Sequence, residues 1–222
     1  MRVPTVGSVE YIQNEPSVWG VLWAPDQQWE RIRVKPVFGG ALAILALAET
    51  LSGALTGSFL SHNPAVAASL LQAGFPKAWM SPFLALLIGL FSLIGLLMNA
   101  LVTSVLTWLM MKGLGGQGTF RQLFSLQTHL LVLMVLQTAV GAIGLLVTDG
   151  WLTKPPSCLA AYIPVEGGWS GLLMTLDLFM IWRLLLMARG MRMICRLSVT
   201  RSWMVACLLF LLDIIVNTLS AS

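Results

Sequence analysis

Between Phe83 and Met111 the sequence runs for 29 residues without a charged side chain. A soluble core does not need an element of that length, whereas a helix crossing the hydrocarbon of a bilayer needs about 20 such residues. The surplus predicts a helix that tilts or protrudes. Four further apolar stretches have spanning length: Pro36–Leu60, Leu123–Val147, Trp169–Ala188 and Ser202–Ser220. The chain is therefore expected to be an all-α membrane protein with five transmembrane helices. Its composition agrees, with only 10% charged residues and a mean hydropathy of +0.84, against about 25% charged residues in soluble domains.

Orientation follows from the arginines. Arg183, Arg189, Arg192, Arg196 and Arg201 cluster just before the last span. Basic residues accumulate on the cytoplasmic side of membrane proteins. With the N-terminus inside, Arg2, Arg31, Arg33, Lys35, Lys112 and Arg121 join that cluster, and only Lys77 and Lys154 fall outside. Eleven against two predicts a cytoplasmic N-terminus and an outer C-terminus, in a multi-pass protein of the cytoplasmic (inner) cell membrane. The formal charge of +4 is thus explained by topology, and nucleic acid is not an expected partner. The start of the chain has no apolar h-region, so no cleavable signal peptide is expected.

Residues 1–35 read as a cytoplasmic N-terminal segment, and 36–222 as the five-helix membrane domain. Within the first, Asp26–Lys35 predicts a short helix, with Trp29 and Ile32 on one side. Trp19, Trp23 and Trp29 suggest that the segment lies at the headgroup level. Pro36 fits the first turn of span one, and Ser81-Pro82 the start of span two. Asn63-Pro64 begins a short helix in the outer connector, ended by Gly74 and Pro76. Gly53-x-x-x-Gly57 and the pair Ala100 and Ser104 offer small faces for close helix approach.

Gly113-Leu-Gly115-Gly116-Gln-Gly118 matches G-x-G-x-x-G, but the dinucleotide fingerprint requires a preceding strand, and here a long helix precedes it. The expected role is a compact turn, with Thr119 and Gln122 at capping-box spacing. Its backbone amides, with Lys112 and Arg121, are one candidate cradle for a lipid phosphate. Arg189, Arg192, Arg196 and Arg201 are further candidate contacts to anionic headgroups.

Glu49, Asn99, Gln137, Asp177 and Asp213 lie near the middle of spans one to five. Polar groups at that depth are costly and often functional. Two readings stand: a polar lock that holds helices in register, or an ion or proton path using the three carboxylates in a small transporter or channel. Asp177 and Arg183 are six residues apart, about 120° around a helix, which argues against a direct pair. His62 and His129 lack ligand partners at metal spacing, and no G-x-S-x-G or other catalytic set is present. No enzyme activity, cofactor or metal is expected. Cys158, Cys195 and Cys207 form no C-x-x-C. Cys158 is expected to react with an impermeant thiol reagent from outside, and Cys195 not to.

The ordered set VLWAPDQQWERIRVKP, KGLGGQGTFRQ after span two, Asp177-Leu-Phe-Met-Ile-Trp182, and Gly190 with the basic loop after it resembles the Ypt-interacting protein (Yip) domain family of five-span membrane proteins. It is closest in pattern to the prokaryotic type, and the resemblance covers Leu22 to Leu219. Eukaryotic relatives associate with Rab-type GTPases and take part in vesicle trafficking and membrane shaping. This chain lacks their Asp-Leu-Tyr-Gly-Pro motif and has a short N-terminal segment, so GTPase binding is not carried over. The resemblance implies a non-enzymatic membrane-organising or protein-interaction factor. Its partners would be the lipid bilayer, anionic lipid headgroups, further copies of itself or other membrane proteins.

Overall fold

The computed structural model describes residues 14–148, 154–164 and 167–220. Nine α-helices are formed among them: α1 Gly20–Trp23, α2 Pro25–Val34, α3 Gly39–Leu60, α4 Pro64–Gln72, α5 Lys77–Gly113, α6 Phe120–Val147, α7 Gly168–Thr175, α8 Leu178–Cys195 and α9 Val199–Ser220. Four helices are long and apolar enough to cross a membrane: α3, α5, α6 and α9 over Val199–Val216. Large apolar side chains such as Leu86, Phe91, Ile94 and Leu211 stay exposed along them. A bilayer solvates such surface, whereas water does not. The 37 residues of α5 extend about 55 Å at 1.5 Å per residue, well beyond the ~30 Å hydrocarbon core.

The chain divides into two compact units. The first comprises Met1–Ala43, Asn99–Val132 and Trp182–Leu211. Its core is built on Trp29, Ile32, Met111, Leu123, Leu126 and Met191, all fully buried. Pro25 and Asp26 open α2, and Arg31 and Arg33 lie in its last turn, which suits the helix dipole. The Trp29–Ile32 face is docked against the protein, so the Trp29 ring does not face the headgroups. Gln122 Nε2 donates to the Arg33 carbonyl at 2.7 Å, and Ser125 Oγ to that of Val37 at 2.8 Å. These two bonds flank a non-helical connector at 35–38, so α3 starts at Gly39 and Pro36 precedes it rather than forming its first turn. Trp19 and Trp23 remain exposed.

The turn between α5 and α6 closes as a Schellman motif. Gly115 takes φ +74°, its N–H donates to Lys112 O at 3.1 Å, and the Gly116 N–H donates to Met111 O at 2.9 Å. Thr119 then forms the expected capping box: its N–H donates to Gln122 Oε1 at 2.9 Å, and the Gln122 N–H to Thr119 Oγ1 at 3.3 Å.

The second unit comprises Ile44–Met98, Leu133–Ile181 and Leu212–Ser222. Here α3 and α5 approach until no side chain fits between them. A Cβ on Gly53 would lie 2.3 Å from Ser92 Oγ, and one on Gly57 would lie 2.2 Å from the Leu84 carbonyl oxygen. The G-x-x-x-G is therefore consumed inside the chain. Asn63 caps α4 as expected, accepting from the N–H groups of Ala65 and Val66. Pro82, however, is inside α5, which begins at Lys77. The proline forfeits a single i→i−4 bond, and helix continues through it.

A continuous fourth span over 169–188 is not observed. α7 ends at Thr175, α8 begins at Leu178, and the intervening backbone pairs with the preceding loop. Cys158 and Asp177 form an isolated antiparallel bridge. The Leu159 N–H donates to Leu176 O at 3.2 Å, and the Leu178 N–H to Ser157 O at 3.3 Å. Buried backbone that leaves the helix needs protein partners of this kind.

Candidate functional site

The arginine-rich regions of the first unit are built from the ends of α2, α5 and α8 and the start of α9. Among its described residues every carboxylate is paired: Glu30 with Arg33, Glu15 with Lys35 at 3.0 Å, and Asp26 with Arg189 at 2.5 Å. Arg201 Nη1 donates to the Leu114 carbonyl at 3.0 Å, serving the open end of α5. Arg196, at φ 55°, ends α8 in the left-handed conformation. Lys112, Arg121, Arg192 and Arg196 are exposed.

Four of the glycine-turn amides offered as one option for a phosphate cradle are already bonded within the protein. The amides of Gly115 and Gly116 bond within the turn, that of Gln117 donates to Cys195 O at 3.0 Å, and that of Thr119 to Gln122. The turn is also closed to side chains: a Cβ on Gly118 would meet Cys195 Sγ at 2.7 Å, and one on Gly116 would meet Met111 Cγ at 2.7 Å. Its role is to fix α6 against the end of α8. Burial pushes the Cys195 thiol up to about 12.

Of the six expected headgroup contacts, Arg189 and Arg192 come together. Both line a half-open groove of about 580 Å³, walled by Trp182, Leu185 and Leu186 of α8 and by Val199 and Trp203 of α9, with Pro25 of α2 at its edge. Positions 182, 185, 186 and 189 recur at the three- and four-residue spacing of one helix face. The groove thus has an apolar end and a cationic end. Lys112, Arg121, Arg196 and Arg201 do not line it.

Buried and half-buried polar groups are also bonded within this unit. Arg183 Nη2 donates to Asn99 Oδ1 at 2.9 Å. Gln127 Nε2 donates to Thr107 Oγ1 at 2.8 Å. His129 places Nδ1 2.8 Å from Ser125 O and Nε2 3.4 Å from Pro16 O, so it ties the N-terminal segment to α6. Ser125, Gln127, Thr128 and His129 are all fully buried. Sequence reasoning singled out only His129 of this run. The available signal was four polar residues in Ser125–His129, next to an otherwise apolar stretch.

In the second unit Glu49 is buried, and one carboxylate oxygen accepts from Thr138 Oγ1 at 3.0 Å. Asp177 is fully buried at the helix break. Its Oδ1 accepts the Phe179 N–H at 2.7 Å, making it the N-cap of α8. Its Oδ2 accepts from the Ser157 hydroxyl. Gln137 is half-buried on α6 and Asp213 half-buried on α9. The bonds of Glu49 and Asp177 involve separate partners. Cys158 is buried with its thiol on the Pro155 carbonyl, which corrects the expected labelling: an external reagent does not reach it in the folded chain.

A family model for the Yip1 domain matches residues 19–220. The chain belongs to the Yip1 family. It is similar to the membrane protein YknW of Bacillus subtilis (strain 168), at 28% identity over 202 residues, covering 89% of this chain and 86% of that one. No solved structure matches it. It is a multi-pass membrane protein. The stretches of this Yip1 chain that carried the resemblance have structural roles. Trp29 of the N-terminal stretch packs near Gly190, where a Cβ would come within 2.7 Å of Leu126 and 3.5 Å of the Trp29 ring. The glycine turn seats Cys195, and Asp177 caps α8.

Proposed function

We propose that this Yip1 protein is a non-enzymatic membrane-organising or protein-interaction factor whose intramembrane polar residues lock its helices. The observation that carries the reading is the use of Asp177. Both of its oxygens are spent on the helix break, one on the Phe179 amide and one on Ser157. Glu49 is engaged through Oε1 alone, which accepts from Thr138 on a neighbouring helix, while its Oε2 is buried without a hydrogen-bond partner. A transporter or channel would instead need Glu49, Asp177 and Asp213 to share a hydrated cavity. Ion flux into proteoliposomes tests this. The expected flux equals that of protein-free vesicles, for the wild type and for Glu49→Gln and Asp177→Asn alike. Wild-type flux that either substitution abolishes would sink the lock reading.

We read the topology as five crossings, α7 and α8 making the fourth, with the N-terminus cytoplasmic and the C-terminus outside. Charge supports this. Ten of the eleven basic residues assigned to the inside belong to the first unit, and Lys77 and Lys154 to the second; Arg2 lies outside the described residues. Introduced cysteines test it, because the native thiols at 158 and 195 are buried. Tyr162→Cys, at a 72% exposed position, should react with an impermeant maleimide in intact cells. Lys112→Cys should react only after permeabilisation. The reverse pattern would overturn the orientation.

A further inference from the structure

The groove between α8 and α9 has chemistry that orientation alone does not require. Its floor presents Trp182, Leu185 and Leu186 on one helix and Val199 and Trp203 on the other. Its far end carries two guanidinium groups. Arg189 is held by Asp26 through its Nε and Nη2, and Arg192 is exposed, with no carboxylate partner among the described residues. Two arginines and one aspartate leave a single positive charge facing the groove. At about 580 Å³ it falls within the ~300–1,000 Å³ range of small-molecule sites. It is open on one side, and Leu185 at its wall is half exposed. That opening lets a chain longer than the cavity run on along the apolar faces of α8 and α9. A soluble anion would use only the arginines and leave the tryptophan and leucine wall bare.

We propose that this groove binds an anionic glycerophospholipid, with its phosphate at Arg192 and Arg189 and the upper part of one acyl chain against Trp182, Leu186 and Trp203. The proposal builds on the membrane-organising reading and gives that reading a ligand. Asp26 competes with the phosphate for Arg189, so α2, which carries Asp26 and Pro25, sets the affinity. Arginine suits the role because its planar fork bonds phosphate in two places at once.

The test is native mass spectrometry of the full chain from micelles holding equimolar phosphatidylglycerol and phosphatidylcholine. The wild type should retain phosphatidylglycerol preferentially. Arg192→Gln should cut that preference about fivefold, the effect of one basic residue near an anionic surface. Arg192→Lys should restore part of it. Asp26→Asn should raise it by releasing Arg189. Arg121→Gln, exposed but outside the groove, should leave it unchanged, and Trp203→Ala should weaken both lipids alike. Should Arg192→Gln aggregate, Asp26→Asn and Arg192→Lys carry the comparison. Three results would each overturn the site. The wild type could show no headgroup preference, as a groove reserved for a protein partner would give. Arg121→Gln could be as damaging as Arg192→Gln, which means diffuse electrostatics. Glycerol 3-phosphate could displace phosphatidylglycerol at equal concentration, which means a soluble anion. Flux is not read here, so a failed lock reading and a failed lipid site are told apart.

Discussion

The closest helix contact in the second unit makes a sharp prediction for Gly57→Ala. The new Cβ would sit 2.2 Å from the Leu84 carbonyl oxygen, 2.6 Å from the Leu84 carbonyl carbon and 2.9 Å from the Ala85 nitrogen. All three are backbone atoms, so no rotamer change relieves the clash. Ordinary contact begins at 3.4 Å, and α3 and α5 must separate by the difference. Overpacking of this kind costs about 1–3 kcal/mol, offset by up to about 1 kcal/mol from the better helix propensity of alanine. The control is Gly95→Ala on α5, where nothing lies within 4 Å of the new Cβ; it keeps the propensity gain without the clash. Thermal unfolding in detergent should rank Gly95→Ala at or above the wild type and Gly57→Ala below it. Geometry can be read independently. Ser58 Oγ and Ser81 Oγ are 3.1 Å apart, so a Ser58→Cys/Ser81→Cys pair should cross-link readily, and Gly57→Ala should slow it. Equal stability of the two alanine variants, with unchanged cross-linking, would refute the packing argument.

Three further outcomes are expected. Trp29→Ala should cost roughly 3–5 kcal/mol, because the ring is fully buried; a loss under about 1 kcal/mol would return the tryptophan to the membrane interface. Asp177→Asn should fold almost normally, since asparagine caps as well as aspartate, while Asp177→Leu should lose about 1–2 kcal/mol; equal melting temperatures for the two would remove the cap. Cys195 bears on alkaline pH. Its folded pKa, about 12, lies above its ordinary 9.0, so its contribution to stability is complete below pH 9.0 and is lost as the pH rises towards 12. Cys195→Ala should therefore flatten the fall of the melting temperature above pH 9.0, and an unchanged slope would count against a buried neutral thiol.

Run length and local capping chemistry made the helices legible. The Thr119 and Gln122 box, the Asn63 cap and the close approach at Gly53 and Gly57 all follow from side-chain types at short spacing. The failures share a physical cause: they depend on partners distant in sequence. Hydropathy reads Trp169–Ala188 as one helix because it cannot register the bonds that Ser157 and Leu159 make to the break. A tryptophan suits a lipid headgroup and a protein core equally, and only the gap at Gly190 decides for Trp29. The candidate site divides in the same way. The stripe from Trp182 to Arg192 is visible on α8 alone, but the facing stripe on α9 and the Asp26 partner are not.

Asp177 and Arg183 show how charged side chains of this chain are held without pairing with each other. Six residues apart on the sequence, each has a neutral partner. Asp177 sits at the start of α8, where the helix dipole and the Phe179 amide favour a carboxylate, and the Ser157 hydroxyl satisfies its other oxygen. Arg183 points its guanidinium at the Asn99 amide oxygen, and the aliphatic part of its side chain suits apolar surroundings. A direct pair would have tied the two charges to each other and left the helix break uncapped. Using backbone and neutral amide or hydroxyl groups instead lets each charge fix a different neighbour: Asp177 the loop carrying Ser157, and Arg183 the long helix α5. The charges are thus spent on register, and that is the physical ground for reading them as locks.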